Sequence, residues 1–389
     1  MTVDAPRITA EHPCLPPYSP EQRWGVLWKV LPEVSRSFFL TLRVLPDPIR
    51  RPIGLAYLLA RAADTIADTR IVAREKRLAA LLQLRKQLEA GVSPGEVAEI
   101  QRDLAPRQSL PAERTLLENL DHCLAALSEF PAADRQRIAE VVITLTRGME
   151  FDLTRFPGES AEQLAALERP KELDQYTYYV AGCVGPFWTK MCVAHLKELE
   201  GWDVGRMEEL GTRFGKGLQL CNVLRDIPKD LRIGRCYLPA AELASVGLRP
   251  TDLLESGVVA AVSGGSRVDL QHPSLPGPPG TAATTTERLR PLYNQYLDLA
   301  LSYLAAGWEY TMAVPANLPR LRLACAWPIL IGLKTIAKLR NNPDILDPHR
   351  RIKISRGEVY GLMARTFFLK RSDAALNRYH DRLVQEAKP

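Results

Sequence analysis

No run in the 389 residues approaches the roughly 18 unbroken apolar positions of a membrane-spanning helix. No two cysteines stand in C-x-x-C spacing, and no G-x-G-x-x-G occurs. The missing apolar run argues against a spanning segment. The seven cysteines are odd in number and scattered, so neither a zinc site nor a disulfide framework is indicated. Small buried thiols in a reducing compartment are expected instead. The missing glycine fingerprint excludes a Rossmann-type nucleotide site. The stretch GTRFGKG (211–217) is not a P-loop either, being one residue short, lacking the Ser/Thr and following no strand. The six histidines show no metal spacing. A net charge of +6 without a dense basic run does not fit a nucleic-acid tail, but suits anionic ligands or a membrane surface. The start, MTVDAPRITAEHPCLPPYSP, lacks the basic and apolar regions of a signal peptide, so the cytoplasm is the expected location.

What is present is helical. Hydrophobic residues make up 46% and charged residues 25%, as in globular proteins, and alternating β-branched runs are nearly absent. The pattern predicts an all-α chain with helices at 21–31, 35–43, 50–88, 112–128, 133–154, 172–196, 206–227, 287–313, 320–340 and 356–386. The second half of 50–88 is polar and expected outside the core. Residues 1–20 read as an extended Pro-rich tail, and 21–389 as one domain interrupted by a flexible insertion at 263–286, SGGSRVDLQHPSLPGPPGTAATTT.

Two apolar helices carry misplaced polar residues. On 52–68, PIGLAYLLARAADTIAD, Tyr57, Arg61, Asp64 and Asp68 fall within an arc of about 60° at 100° per residue. On 215–231, GKGLQLCNVLRDIPKDL, Gln219, Asn222, Asp226 and Asp230 span about 80°, with Arg225 at the margin. A buried carboxylate without a partner costs several kcal/mol, so each face needs compensation. One explanation is pairing with Arg61, Arg225 and neighbouring arginines. The other is that two D-x-x-x-D faces look at each other across a cavity and hold a divalent metal, since Mg2+ takes a few carboxylates together with phosphate oxygens. Such a site, with Arg36, Arg61, Arg225, Arg232 and Arg235, suits the departure of a diphosphate. Pro228 should kink or end the second helix and re-aim Asp230.

At this point the chain resembles a known family. VSRSF (34–38), YLLARAADTIAD (57–68), GMEFDL (148–153), YTYYVAGCVG (176–185), QLCNVLRDIPKDLRIGRCYLP (219–239), CAWP (325–328) and RIKISRGEVYGLM (351–363) are similar, in order and spacing, to the squalene/phytoene synthases. Several of these stretches are closest to the squalene synthases. The resemblance implies the α-helical isoprenoid synthase fold with a central cavity. Position by position it makes Asp64, Asp68, Asp226 and Asp230 the ligands of a Mg2+–diphosphate group, with Mn2+ as an alternative ion. Ser35, Arg36, Ser37 and Phe38 become a flap over the diphosphate, with Arg61, Arg225, Arg235, Gln219 and Asn222 beside it. Tyr176 becomes the group assisting deprotonation, and Tyr179 a cavity wall. Tyr57, Asn222, Arg225, Lys353 and Arg356 match or neighbour the NADPH region of squalene synthases, although HRRIKISRG (349–357) also reads as a plain solvated basic loop. Departures are Ala67 and Lys229 at acidic positions, Pro228 inside the second motif, Leu238 for a common Trp and Ala324 for a bulky aromatic.

The implied reaction joins two farnesyl diphosphates through presqualene diphosphate to squalene, with hydride from NADPH. Alternatives are a dehydrosqualene or phytoene synthase, a presqualene diphosphate synthase without reduction, a terpene cyclase acting on one substrate, and a helical scaffold or lipid-binding subunit. Monomer and dimer are both open, nucleic acid is not an expected partner, and peripheral membrane contact is expected for product release.

Overall fold

Segments rich in alanine, leucine, arginine and glutamate fold as helices throughout the regular parts of the chain. The computed structural model describes residues 18–35, 38–90, 94–255, 283–349 and 352–389. Its principal helices are α1 (Pro20–Ser35), α2 (Phe38–Val44), α3 (Asp47–Asp68), α4 (Arg74–Ala90), α5 (Pro94–Leu104), α6 (Pro111–Glu118), α7 (Leu120–Leu127) and α8 (Ala132–Arg155). There follow α9 (Pro170–Thr177), α10 (Val184–His195), α11 (Val204–Arg232), α12 (Ala240–Ser245), α13 (Thr285–Ala313), α14 (Pro319–Arg340), α15 (Arg356–Leu369) and α16 (Asp373–Ala387). Among the described residues the only sheet is a parallel pairing of Ala165–Ala166 with Arg235–Cys236. This is the expected all-α class.

Burial follows composition. On α3, Leu55, Leu58, Leu59, Ala62, Ala63 and Ile66 are fully buried. Each large side chain removed from water in this way contributes about 1.5–3 kcal/mol. One hydrophobic cluster is built mainly from α1, α3, α4, α7, α8 and α10, the other mainly from α11, α13, α14 and α16. The two meet where α10 packs on α11. There the backbones touch: a Cβ on Gly185 would lie 2.1 Å from the carbonyl carbon of Gly211, so only glycine permits this crossing.

Several boundaries differ from the sequence reading. The predicted helix 50–88 is two helices, broken between Asp68 and Arg74. The polar second half is not outside the core, because α4 buries Arg77, Leu81, Leu84 and Leu88. The Arg77 guanidinium donates to the Ala67 carbonyl at 2.6 Å and pairs with Glu159 at 2.6 Å. It thus satisfies a carbonyl that the end of α3 leaves open. The predicted helix 172–196 contains a π turn at Tyr178–Gly182. Thr284 and Glu287 form a capping box that starts α13 at Thr285, two residues earlier than expected. Residues 1–17 and 263–282 lie outside the described residues, and α1 already begins at Pro20.

Of the two outcomes expected at Pro228, a kink or a helix end, the second does not occur. Helix α11 does not end there but continues to Arg232. Proline removes the N–H that the Leu224 carbonyl would accept, and its absence should have been costly. The structure supplies a substitute donor: the buried Tyr293 hydroxyl of α13 donates to the Leu224 carbonyl at 3.3 Å.

Candidate active site

Helix α3 directs its polar stripe into a pocket of about 300 Å3. Arg61, Asp64 and Asp68 line it, with Gly148, Met149 and Asp152 of α8, Tyr176 of α9, Gln219 of α11 and Arg235. Tyr57, Ala60, Leu145, Val180 and Gln219 are shared with a second, apolar cavity of about 480 Å3. Its walls include Phe38, Ile53, Phe187, Trp188, Phe214, Leu218, Ala324 and Cys325. A charged compartment therefore opens directly into an apolar one. Val180 rather than Tyr179 takes the wall position. The π turn adds a residue, so the side chain four after Tyr176 faces the cavity while Tyr179 instead accepts a hydrogen bond from Gln175 at 3.0 Å.

The carboxylates are under electrostatic tension. Asp64 lines the pocket, enclosed by protein but with 40% of its side chain still open. Arg61 holds it at 2.5 Å and also pairs with Glu113 at 2.5 Å. Burial and then the charge of Asp68, one turn away, still push the Asp64 carboxyl upward. On α11, Arg225 clamps Asp226 at 2.5 and 3.0 Å. Burial and the Asp226 charge push Asp230 up to about 7. Asp226 and Asp230 do not line the same pocket as Asp64 and Asp68. Between the pairs sits Arg235, which feels Asp68 and donates to Asp152 at 3.0 Å.

Among the described residues no three carboxylate, histidine or cysteine groups converge as a metal set. The donors nevertheless suit a hard divalent ion. They are all oxygen, two per helix, each pair repelling itself, and such ions take one or two carboxylates with the balance from phosphate and water. The Asp152 Oδ1, buried without a hydrogen-bond partner, adds a further open acceptor.

The remaining expected residues distribute unevenly. Phe38 stacks on Tyr57 with ring centroids 5.3 Å apart at the cavity edge. Ser35 is buried and donates to the Leu31 carbonyl at 2.5 Å. Arg36 and Ser37 lie outside the described residues. Asn222 donates to Gln219 at 3.2 Å and lines the apolar cavity. Lys353 and Arg356 are exposed at the start of α15 and line neither cavity.

Sequence reasoning missed Asp152 and Tyr237. Tyr176 stacks on Tyr237 at 4.6 Å. Tyr237 lies close enough to act on the Tyr176 phenol, and it donates to Asp152 at 2.7 Å. Burial, then the charge of Asp152, raises the Tyr176 phenol well above its usual range, so it is neutral at physiological pH. Burial raises Asp152 to about 6, against the pull of Arg235. A Tyr176–Tyr237–Asp152 chain thus leads from the cavity wall to a carboxylate poised near neutrality. The available signal was an acid in GMEFDL on a helix that otherwise turns Val141, Leu145 and Leu153 inward.

Comparison with known proteins gives the family and the fold. The squalene/phytoene synthase family model matches residues 31–358. The squalene synthase of Mycosarcoma maydis is 24% identical over 88% of the chain and 55% of its own length. A presqualene diphosphate synthase of Rhodopseudomonas palustris is 32% identical over 56% of the chain and 63% of its own length. The chain thus spans less than two thirds of these curated relatives. A ligand complex of the squalene synthase TcSQS superposes with a TM-score of 0.62 at 22% identity, covering 94% of this chain and 97% of that one. No helix among the described residues is long and apolar enough to cross a membrane. From the family match over most of its length, the chain belongs to the squalene/phytoene synthase family.

Proposed function

We propose that this chain joins two farnesyl diphosphates head to head to give presqualene diphosphate. One observation carries the reading: a pocket lined by Arg61, Asp64, Asp68 and Arg235 opens directly into an apolar cavity of about 480 Å3. The first compartment suits diphosphate and the second suits prenyl chains. Asp64, Asp68, Asp226 and Asp230 would hold Mg2+ or Mn2+, which when bound supplies the charge that stabilises departing diphosphate. Arg61, Arg225 and Arg235 neutralise the same leaving group, and Phe38 at the cavity edge covers it. Ser35 is turned to the Leu31 carbonyl, and Arg36 and Ser37, which the resemblance adds to this cover, lie outside the described residues. Phe38 stacked on Tyr57 excludes water, which would otherwise capture an allylic cation as an alcohol.

In the coupling, one allylic C–O bond breaks and its electron pair leaves with diphosphate. The double bond nearest the second diphosphate attacks the cation, and loss of a proton closes the cyclopropane. Tyr176 accepts that proton at its hydroxyl oxygen while passing its own to Tyr237, which passes one to Asp152. The relay resolves how a phenol too weakly acidic to ionise takes part in deprotonation.

A second reading extends the reaction to squalene with hydride from NADPH, held by Tyr57, Asn222, Arg225, Lys353 and Arg356. Tyr57 and Asn222 on the apolar cavity wall favour it. The position of Lys353 and Arg356 away from both cavities favours a product released before reduction.

The test is incubation with farnesyl diphosphate and Mg2+, with and without deuterated NADPH, followed by mass spectrometry. A thirty-carbon cyclopropyl diphosphate without NADPH supports the first reading, and one deuterium in squalene adds the second. Asp64→Asn and Asp226→Asn should each lower turnover about 100-fold or more with helix content unchanged. Full turnover in EDTA would reject the metal assignment.

A further inference from the structure

Helix α15 carries apolar side chains on its outward face as well as on its packed face, where an amphipathic surface helix would turn only one such face, inward. Leu362 and Thr366 face inward, and Thr366 accepts from the Trp327 indole of α14 at 2.9 Å. The outward face is different. Gly357, Tyr360, Gly361, Ala364, Phe367 and Phe368 fall within about 120° of arc at 100° per residue. All six are exposed among the described residues. Tyr360 is 59%, Phe367 52% and Phe368 84% exposed. Contiguous exposed aromatics of this kind mark an interaction surface.

Charge decides between occupants. Arg365, Lys370 and Arg371 border the stripe, and the Lys370 ammonium lies 3.0 Å from the Phe367 ring centre. The one acid of α15, Glu358, is turned to Lys338 at 2.8 Å and to its own capping box. A second copy packed about a two-fold axis would bring like charges together. A lipid surface with anionic headgroups meets both features, taking the aromatics at its interface and pairing the cations with phosphates. The helix on which α15 packs presents Ala324, Cys325 and Pro328 to the apolar cavity, so only α14 separates this face from the candidate site.

We infer that α15 docks the protein on anionic membranes through the Tyr360–Phe367–Phe368 stripe and its cationic border. The inference does not depend on the reaction, because the assay uses no substrate. The full chain is sedimented with phosphatidylcholine vesicles, with and without phosphatidylglycerol. Wild type should pellet with the anionic vesicles and much less with the zwitterionic ones. The Phe367→Ser/Phe368→Ser variant should lose about tenfold or more in vesicle affinity. Lys370→Gln/Arg371→Gln should lose about tenfold, for anionic vesicles alone. These four surface positions lie outside the buried core, and circular dichroism checks that the fold is kept. Wild type that stays in the supernatant, or variants that bind as wild type does, would overturn the inference. So would a dimer that the Phe367→Ser/Phe368→Ser change dissociates, since a second copy would then cover this face.

Discussion

Asp226 and Asp230 stand one turn apart on α11, and the strain between them can be measured. Asp230 is raised to about 7 by burial and then by the Asp226 charge. A carboxyl raised on folding stabilises the fold fully only below its unfolded value near 4, and loses that contribution as pH climbs through the folded value. In EDTA, Asp230→Asn should therefore melt about 2 °C above wild type at pH 8 and level with it at pH 4. Turnover should be lost in the same variant. A lower melting temperature at pH 8 would show that Asp230 is well paired and not waiting for a cation. Asp152 gives a second residue-scale expectation. As terminal proton acceptor raised to about 6, it must be ionised to work, so kcat/KM should rise with pH through about 6. Asp152→Asn should abolish that limb and cut the first step about 100-fold. An unchanged pH profile would remove Asp152 from the chemistry. The α3 stripe was legible in the sequence because helical spacing alone aligns Tyr57, Arg61, Asp64 and Asp68. The relay was not, since Asp152 and Tyr237 are 85 positions apart and nothing local pairs them.

Proline inside α11 shows how an element survives a residue that should end it. If the Tyr293 hydroxyl replaces the lost donor to the Leu224 carbonyl, then Tyr293→Phe should cost about 1–2 kcal/mol by leaving that carbonyl buried and unpaired. In a Pro228→Ala background the cost should fall, because the restored N–H serves the same carbonyl. Equal costs in both backgrounds would show the contact to be incidental. The crossing of α10 on α11 makes a harsher demand. A methyl on Gly185 meets backbone rather than a movable side chain, so Gly185→Ala should cost about 3 kcal/mol or more and reduce the folded yield. A melting temperature unchanged by Gly185→Ala would contradict the close approach. Neither feature was readable beforehand. Local rules mark Pro228 as a residue that should end the helix, and they miss the outcome because the tyrosine that serves the Leu224 carbonyl comes from a helix beyond residue 284. The π turn after Tyr176 likewise leaves no mark in apolar periodicity.

At the scale of the molecule, the helical class and the approximate spans of α8, α11, α13 and α14 follow from composition and period. The bundle's two compartments do not. They arise because α3 and α8 carry polar residues at one end of a shared wall, while Phe187, Trp188, Phe214 and Leu218 close the other. The central claim is that this paired space holds two prenyl diphosphates at once. It is tested most directly by label crossing. Unlabelled and fully deuterated farnesyl diphosphate are mixed in equal amounts with the protein and Mg2+, and the product is weighed by mass spectrometry. The account predicts a thirty-carbon product in unlabelled, half-labelled and fully labelled forms near 1:2:1, with one diphosphate released for each pair of substrates consumed. Fifteen-carbon products carrying either label alone would contradict it, and would make the cavity that of a single-substrate cyclase.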